Sequence, residues 1–267
     1  MSNELAQQFK ALHKPSSPIV LPNVWDVASF NTVTSLNTES SKPVKALATA
    51  SWAIAATYGV QDEELTLEQN LEAISKIAPL AKAAGIPLSA DLQDGYGSQI
   101  ESTVKRAVEL GVIGANIEDR TLEGTFYPVA EQVQRLKSAL KAASDAGCPD
   151  FVINARCDIF FAATLPEADE LNEAITRGKA YLEAGATTVF YWGGSKRGLR
   201  NAWVETLVRE LDGRVSVKLA HGMEDALSTR DLADIGVARI SVGPNLFLLA
   251  QEAAKQAAER ILSGGNL

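Results

Sequence analysis

The feature that most constrains the fold is a joint repeated along the chain, in which a helix-like segment ends in glycine and a short apolar run follows. Glycine is favoured just past a helix end because it adopts the left-handed conformation without a Cβ clash. The segments before these glycines place apolar residues on one helical face, as in 67–78 and 129–143. Two of these segments also begin with the spacing of a capping box, Thr66 with Gln69 and Ser98 with Glu101. The pattern therefore predicts alternating helices and strands. The six joints are at Gly85, Gly111, Gly147, Gly185, Gly213 and Gly236.

The apolar runs show no polar alternation, which indicates strands that are covered on both faces. Eight such strands, each followed by a helical stretch, predict a (β/α)₈ TIM barrel that occupies the whole chain, 1–267, as one domain. A doubly wound open sheet is the alternative, but the stretch after the first strand, 23–26, lacks the glycines of a nucleotide-binding turn. The predicted strands are 19–21, 45–50, 87–91, 113–117, 151–155, 187–191, 215–219 and 239–242.

The charge balance narrows the function class. The chain carries 25 basic and 33 acidic residues, for a formal net charge of −8. This excess of acid disfavours a general nucleic-acid binder and a protein that binds anionic membranes. There is no signal-peptide pattern at the N-terminus and no apolar run of roughly 18 residues. The chain has only two cysteines, so we expect a cytoplasmic protein. Because the charge balance disfavours nucleic acid and membranes, we expect its partner to be a small molecule.

Acidic residues follow three neighbouring predicted strands. Asp62 lies after the second strand, Asp91 ends the third and Glu118 ends the fourth. Because the carboxyl ends of barrel strands meet at one rim, these carboxylates should converge and would repel one another without a cation between them. Oxygen ligands without His or Cys predict Mg²⁺ or Mn²⁺. Arg156, at the end of the fifth strand, offers a planar fork for a substrate carboxylate or phosphonate.

Several of these residues also have structural interpretations. Asp26 is best explained as a helix cap, and the acids 62–64 could form a solvated turn. For Arg156 the structural interpretation is an ion pair with Glu118 or Asp158 and no contact with a substrate. For Asp91 the functional interpretation is favoured, because this acid ends a predicted buried strand. The Gly-Tyr-Gly at 95–97 also lets the backbone pass close to a ligand.

Lys218 could form a Schiff base, although an exposed lysine is the favoured interpretation. His221 is expected in a loop, and Cys157 is expected to pack in the core. The general acid/base is unassigned, with Tyr96 and His221 as weak candidates.

At these positions the sequence resembles the isocitrate lyase/phosphoenolpyruvate mutase superfamily over nearly its whole length. The family fold is a (β/α)₈ barrel whose last helix often swaps between subunits, so the resemblance implies a homodimer or homotetramer. It also implies a Mg²⁺-dependent enzyme that acts on small 2-oxo acids through an enolate. The matching motifs are LPNVWD (21–26), DLQDGYG (91–97), NIED (116–119), NARCD (154–158), YLEAGA (181–186) and GVARISVGP (236–244).

The resemblance also implies roles for individual residues. Asp91 would ligate the metal directly, while Asp62 and Glu118 would hold its water ligands. The match assigns Asp91, Asp62 and Glu118 to the metal, and the backbone of Ala50, Ser51 and Trp52, together with Arg156, to the substrate. We add Asn154 as a substrate-binding candidate and Arg156, Glu118 and Tyr96 as the catalytic candidates.

The chain departs from the family pattern at several points. The stretch 120–128 has no cysteine where the isocitrate lyases carry a catalytic one, and the Lys-Thr-Asn gating loop of the mutase is missing. Gln93 replaces an aspartate, and Trp192 stands where mutases place a histidine. The leading hypothesis is therefore a lyase or hydrolase that cleaves a C–C or P–C bond of a small 2-oxo or 2-hydroxy carboxylate. The alternatives are a catalytically degenerate binding protein and a Schiff-base aldolase that uses Lys218.

Overall fold

The computed structural model describes residues 2–223 and 226–266, and within them nine parallel strand segments form a barrel. Going around the barrel, the order is β1-β9-β8-β7-β6-β5-β4-β3-β2. The predicted (β/α)₈ barrel is confirmed, and each of the eight predicted strands is present. The segments are β1 (Ile19–Leu21), β2 (Asn23–Val24), β3 (Leu47–Thr49), β4 (Leu88–Asp91), β5 (Gly114–Glu118), β6 (Val152–Cys157), β7 (Thr188–Tyr191), β8 (Val215–Lys218) and β9 (Arg239–Ser241).

The first barrel strand is split at Pro22, which has no backbone N–H to donate. Its first half, β1, pairs with β9, whereas its second half, β2, pairs with β3. Asn23 joins the two neighbours: its Nδ2 donates to the Thr49 carbonyl at 2.7 Å, and its Oδ1 accepts from the Gly243 N–H at 2.7 Å. The Asn23 side chain therefore links β3 to the backbone that follows β9, where the barrel closes.

The helices follow the strands as predicted, and one feature of their starts was predicted wrongly. Asp26 caps its helix, as expected, by accepting from the Ser29 N–H, and Thr66 caps the next long helix. The expected capping box of Ser98 and Glu101 is wrong, because a 3₁₀ turn at Gly97–Gln99 precedes that helix. The helices are α1 (Ser2–Ala11), α2 (Val27–Thr34), α3 (Ser51–Tyr58), α4 (Leu67–Ala83), α5 (Ile100–Leu110), α6 (Val129–Asp145), α7 (Ile159–Ala162), α8 (Glu167–Glu183), α9 (Gly194–Arg197), α10 (Asn201–Glu210), α11 (Thr229–Ile235) and α12 (Asn245–Leu262).

Helix α1 lies across the end of the barrel where the strands begin. Phe9 is fully buried there, and a Cβ added at Gly114 would come within 3.0 Å of its ring. Glycine at position 114 therefore makes room for this aromatic cap. In the part of the chain that is described, no helix is long and apolar enough to cross a membrane.

The barrel interior is unusually polar for a buried core. Asn116 accepts from Asn154 at 2.9 Å, and Asn154 accepts from Thr188 at 2.7 Å. Because buried polar groups are costly unless they are hydrogen-bonded, these residues stabilise the interior only as a network. The fully or nearly fully buried interior polar side chains are Ser89, Asn116, Asn154, Thr188, Ser216 and Arg239.

Candidate active site

A cavity of about 330 Å³ opens at the ends of the barrel strands where βα loops meet. This is the face on which (β/α)₈ enzymes carry their chemistry. The cavity contains the three predicted carboxylates and Arg156, so the structure brings together the central set of predicted residues. The lining residues used below are Asn23, Ala50, Trp52, Asp62, Glu63, Asp91, Gln93, Asn116, Glu118, Arg120, Arg156, Phe161, Phe190, Trp192, Lys218 and Gly243.

Asp91 ends β4 and carries a carboxylate with one unsatisfied oxygen. Its Oδ2 accepts from both the backbone N–H and the hydroxyl of Ser51, each at the long distance of 3.3 Å. Its Oδ1 is buried and has no hydrogen-bond donor. Burial raises the pKa of Asp91, while the Arg156 guanidinium opposes that shift. A buried anionic oxygen without a donor is costly, so this atom calls for a partner.

Asp62 and Gln93 form the neighbouring wall. The Gln93 Nε2 donates to the Asp62 carbonyl at 2.6 Å and to its Oδ1 at 3.3 Å, which leaves the buried Gln93 Oε1 without a donor. Burial and the nearby Asp91 raise the pKa of Asp62 to about 6. Gln93 also has a φ of 52°, a left-handed conformation that is strained for a residue with a side chain. The solvated-turn interpretation holds for Glu63 and Glu64, which are exposed, although Glu63 also lines the cavity. Glu64 accepts from the Gln61 N–H, whereas Asp62 is half-buried.

Arg156 lies between two carboxylates on the opposite wall. Its Nη1 donates to Glu118 Oε1 at 2.5 Å, and its Nε donates to Asp158 Oδ1 at 2.7 Å. The side chains of Arg156 and Glu118 are each 13% exposed, and that exposure faces the cavity they line. Burial raises the pKa of Glu118 well above its usual value, against the effect of Arg156. Arg156 therefore pairs with both acids and still lines the cavity.

The donor set fits a hard divalent cation held mainly through water. Among residues 2–223 and 226–266, no three His, Cys, Asp or Glu side chains are close enough to ligate one ion directly. Mg²⁺ needs fewer protein ligands than that, because it commonly keeps several waters and takes one or two carboxylates. The unsatisfied oxygens of Asp91 and Gln93 offer such contacts, and Asp62 and Glu118 line the same space.

Aromatic side chains form the outer wall beside Lys218. Trp192 stacks on Phe161 with ring centroids 4.8 Å apart, and the Arg156 guanidinium lies 5.4 Å from the Trp192 ring. The Lys218 Nζ lies 5.3 Å from that ring and donates to Asn245 Oδ1 at 3.2 Å. Burial and Arg156 lower the pKa of Lys218. Lys218 is thus a half-buried cavity residue, and the expectation of an exposed lysine is wrong.

The structure leaves some predicted residues outside the cavity lining. Asn154 is fully buried in the barrel interior, bonded to Asn116 and Thr188. The Tyr96 hydroxyl accepts from Asn70 at 2.9 Å and does not line the cavity. Their assigned roles stay predictions, as do those of the backbone at Ala50, Ser51 and Trp52.

Two other doubtful candidates are also placed by the structure. His221 is exposed and is not part of the lining, whereas Cys157 is fully buried in the core, as expected. Burial raises the pKa of the Cys157 thiol well above its usual value. A raised pKa keeps the thiol protonated, and a protonated thiol is a poor nucleophile.

Asn116 is the main cavity residue that the sequence interpretation missed. Its Oδ1 accepts from Asn154 at 2.9 Å and from Arg239 at 3.3 Å. Two donors on this oxygen fix the orientation of the amide, and its NH₂ group is directed toward Asp91, where it helps to oppose the rise in the Asp91 pKa. A signal was available, because Asn116 precedes Glu118 by two residues on β5 and so shares its face of the strand.

Comparisons with known proteins agree on one family. The family model for phosphoenolpyruvate phosphomutase matches residues 9–262. An uncharacterised protein of Mycobacterium tuberculosis (strain H37Rv) is 28% identical over 97% of this chain and 90% of its own length. The 2-methylisocitrate lyase of Escherichia coli K12 is 31% identical over 45% of this chain and 41% of its own length.

Solved structures agree with this result. A Burkholderia cenocepacia J2315 protein, provisionally described as a phosphonomutase, has a TM-score of 0.84 and 32% identity. The alignment covers 96% of this chain and all of that protein. A 2,3-dimethylmalate lyase superposes with a TM-score of 0.81 over 97% of this chain and 87% of its own, at 23% identity, so that likeness concerns the fold.

Proposed function

Because the chain belongs to the phosphoenolpyruvate mutase/isocitrate lyase superfamily, we propose that it is a Mg²⁺-dependent lyase or hydrolase, with Mn²⁺ as an alternative ion. Its substrate would be a small 2-oxo or 2-hydroxy carboxylate in which a C–C bond, or a P–C bond, is cleaved through an enolate. The observation that carries the proposal is the unsatisfied Asp91 oxygen, which lies among carboxylates in a cavity that also contains a buried arginine. Superfamily relatives include proteins named for lyase and acetylhydrolase reactions of such acids.

The protein's own groups would provide the substrate-binding contacts. Arg156 would bind the substrate carboxylate, and its bonds to Glu118 and Asp158 fix the plane of its guanidinium. Helix α3 begins at the cavity, and its N-cap, Ala50, supplies no side-chain acceptor. The Trp52 amide in its first turn is therefore suited to an anionic group, whereas the Ser51 N–H already donates to Asp91 at 3.3 Å and would have to be shared.

Asp91 would hold the cation directly, and Asp62 and Glu118 would hold its waters. When bound, the ion would withdraw negative charge from the oxo-acid as the enolate forms. The stacked Trp192 and Phe161 rings would exclude water from the outer side of the substrate. Glu118 would act by orienting Arg156, to which it is bonded at 2.5 Å.

A substrate panel tests the proposal. Oxaloacetate, 2-methylisocitrate, 2,3-dimethylmalate and phosphonopyruvate are each incubated with the protein, with Mg²⁺ or with EDTA. We expect Mg²⁺-dependent turnover of at least one of them, and calorimetric binding of oxalate only when Mg²⁺ is present. Oxalate binding without any turnover would favour the binding-protein alternative. If the protein shows no turnover and no Mg²⁺ binding, both the enzyme proposal and the binding-protein alternative are refuted.

Lys218 supports a second candidate, a Schiff-base aldolase. Its amine lines the cavity, and its lowered pKa raises the fraction of free amine that can attack a carbonyl. Borohydride treatment in the presence of each 2-oxo acid, followed by peptide mass spectrometry, tests this candidate. An adduct on Lys218 that forms in EDTA would establish it, and its absence with every acid would remove it. The variant K218R is the matched control, since it keeps the charge but cannot form the adduct.

The predicted homodimer or homotetramer is also a proposal. Helix α12 buries only Asn245 among its residues and leaves apolar side chains exposed. We expect this helix to pack against a second copy, and light scattering of the wild type and of L249E would test this expectation. The predicted cytoplasmic location stays a prediction. The exposed apolar residues are Leu248, Leu249, Ile261 and Leu262.

A further inference from the structure

Arg239, the first residue of β9, is fully buried inside the barrel. Its Nη2 donates to Ser89 Oγ at 3.2 Å and to Asn116 Oδ1 at 3.3 Å. Because Ser89 and Asn116 lie on β4 and β5, the guanidinium crosses the barrel interior from the last strand to the far wall. It therefore lies directly below the floor of the cavity, which Asn116 helps to form.

Arg239 has no directly paired carboxylate among the described residues, and the Asp91 carboxylate, which partly offsets the effect of burial on the pKa of Arg239, lies beyond salt-bridge distance. Its Nε and Nη1 are buried without an acceptor, and no described carboxylate lies within 4.0 Å of the guanidinium. Arg177, another buried arginine, instead contacts Asp119 at 3.2 Å and Glu173 at 2.8 Å. An unpaired buried charge is strongly destabilising, so its persistence requires compensation.

The surroundings of Arg239 supply another donor and an enclosing wall. Ser216 pairs with Arg239 in the register of β8 and β9, and its buried Oγ also has no partner. The Phe9 ring lies 5.8 Å from the guanidinium carbon and closes the space from below. The site thus has unpaired N–H and O–H donors, a full positive charge and walls that are sealed from solvent.

We propose that a small inorganic anion of the halide class binds Arg239 inside the barrel. A halide accepts several N–H and O–H bonds without directional demands, and its charge balances the guanidinium. Phe9 and Ser216 are both fully buried, so an anion held here would be shielded from solvent, and a single-atom anion needs the least room. This proposal does not depend on the proposed enzymatic function.

Crystallography with bromide tests the site directly. The protein is unfolded and refolded in sodium bromide, so that an enclosed ion can exchange, and is then crystallised in the same salt. We expect an anomalous bromine peak at hydrogen-bond distance from Arg239 Nε or Nη1. Ordered water at that position, without an anomalous peak, would overturn the proposal.

Thermal unfolding gives a second, independent measurement. Protein refolded in chloride, bromide or gluconate at equal ionic strength is compared with R239M and with R177M, which removes an ion-paired arginine. We expect the wild-type midpoint to rise with halide concentration, R239M to lose that response, and R177M to keep it despite lower stability. If R239M does not fold, S216A should still need several-fold more halide for the same shift. A wild-type midpoint that is equal in halide and gluconate would contradict the proposal.

Discussion

Asp91 and Asp119 lie at the ends of neighbouring strands, and both are buried acids whose pKa is raised by burial. They differ in how their oxygens are bonded. Asp119 accepts from the Asp158 N–H at 3.0 Å, the Tyr181 hydroxyl at 2.8 Å and Arg177 at 3.2 Å, so both oxygens are satisfied. Asp91 has one oxygen with two long bonds and another with none.

This difference separates a structural carboxylate from one that is arranged to bind a ligand. Burial and a raised pKa occur at both residues and therefore do not distinguish them. What distinguishes them is whether the fold itself supplies every hydrogen bond that the buried oxygens need. Asp119 completes a network inside the protein, whereas Asp91 leaves a place for an outside partner.

The largest expected effect is on function at Asp91. The variant D91N should lower Mg²⁺-dependent turnover by about 1000-fold or more, because several kcal/mol of charge stabilisation depends on the ion. Calorimetry should show the same loss for Mg²⁺-dependent oxalate binding. The matched variant D119N, measured at a temperature where it is folded, should keep binding within a few-fold. Equal losses in the two variants would contradict the distinction between them.

For stability we expect the opposite order, with a larger effect from D119N than from D91N. The variant D119N should lower the free energy of unfolding by about 3 kcal/mol, because it removes the fully buried counter-charge of Arg177 and leaves only the partly exposed Glu173. The variant D91N should be as stable as the wild type or more stable, since it removes a buried charge with an unsatisfied oxygen. Urea denaturation of both variants without Mg²⁺ checks this expectation. If D91N is less stable than the wild type, Asp91 stabilises the fold as Asp119 does, and the distinction between them fails.

Arg156 extends the comparison to the basic side chains. The variant R156K keeps a positive charge but loses the planar fork, so oxalate binding should weaken by about 100-fold or less. As a control, R135K changes an arginine that bonds to the Gly97 carbonyl at 2.8 Å outside the cavity lining. It should leave oxalate affinity unchanged. Titration of each variant with oxalate at saturating Mg²⁺ provides the measurement, and a response to R135K as large as that to R156K would count against the assigned role.

The smallest effect should follow the removal of the Tyr96 hydroxyl. Y96F deletes a group that accepts from Asn70 at 2.9 Å and does not line the cavity. We expect a stability loss of about 1 kcal/mol and turnover within a few-fold of the wild type. A turnover loss of 100-fold with unchanged stability would instead support the catalytic role predicted for Tyr96.

Patterns along the chain were enough to predict the architecture and the central site. Glycine after six of the helices predicted the alternation of elements, and acids after consecutive strands predicted a shared rim at Asp62, Asp91 and Glu118. The capping box at Ser98 failed because the local spacing did not reveal the 3₁₀ turn ahead of α5.

Other features depend on contacts between distant strands. Asn154 appears in a motif beside Arg156, yet it faces a deeper layer of the barrel, where Thr188 and Asn116 take its bonds. The unsatisfied oxygen of Asp91 and the unpaired Nε and Nη1 of Arg239 follow from which groups lie nearby in three dimensions. No periodicity or spacing in the sequence encodes that.

The bonds of Asn23 have a consequence for synthesis of the protein. This residue, near the start of the chain, fixes the backbone at Gly243, which lies after the last strand and lines the cavity. While a ribosome is still translating the final strand, the pocket lacks one wall and the first strand lacks its neighbour. Ligand affinity should therefore arise in a single late event, when the emerging β9 fills the remaining gap, and ribosome-bound chains stalled before that point should not retain the ligand.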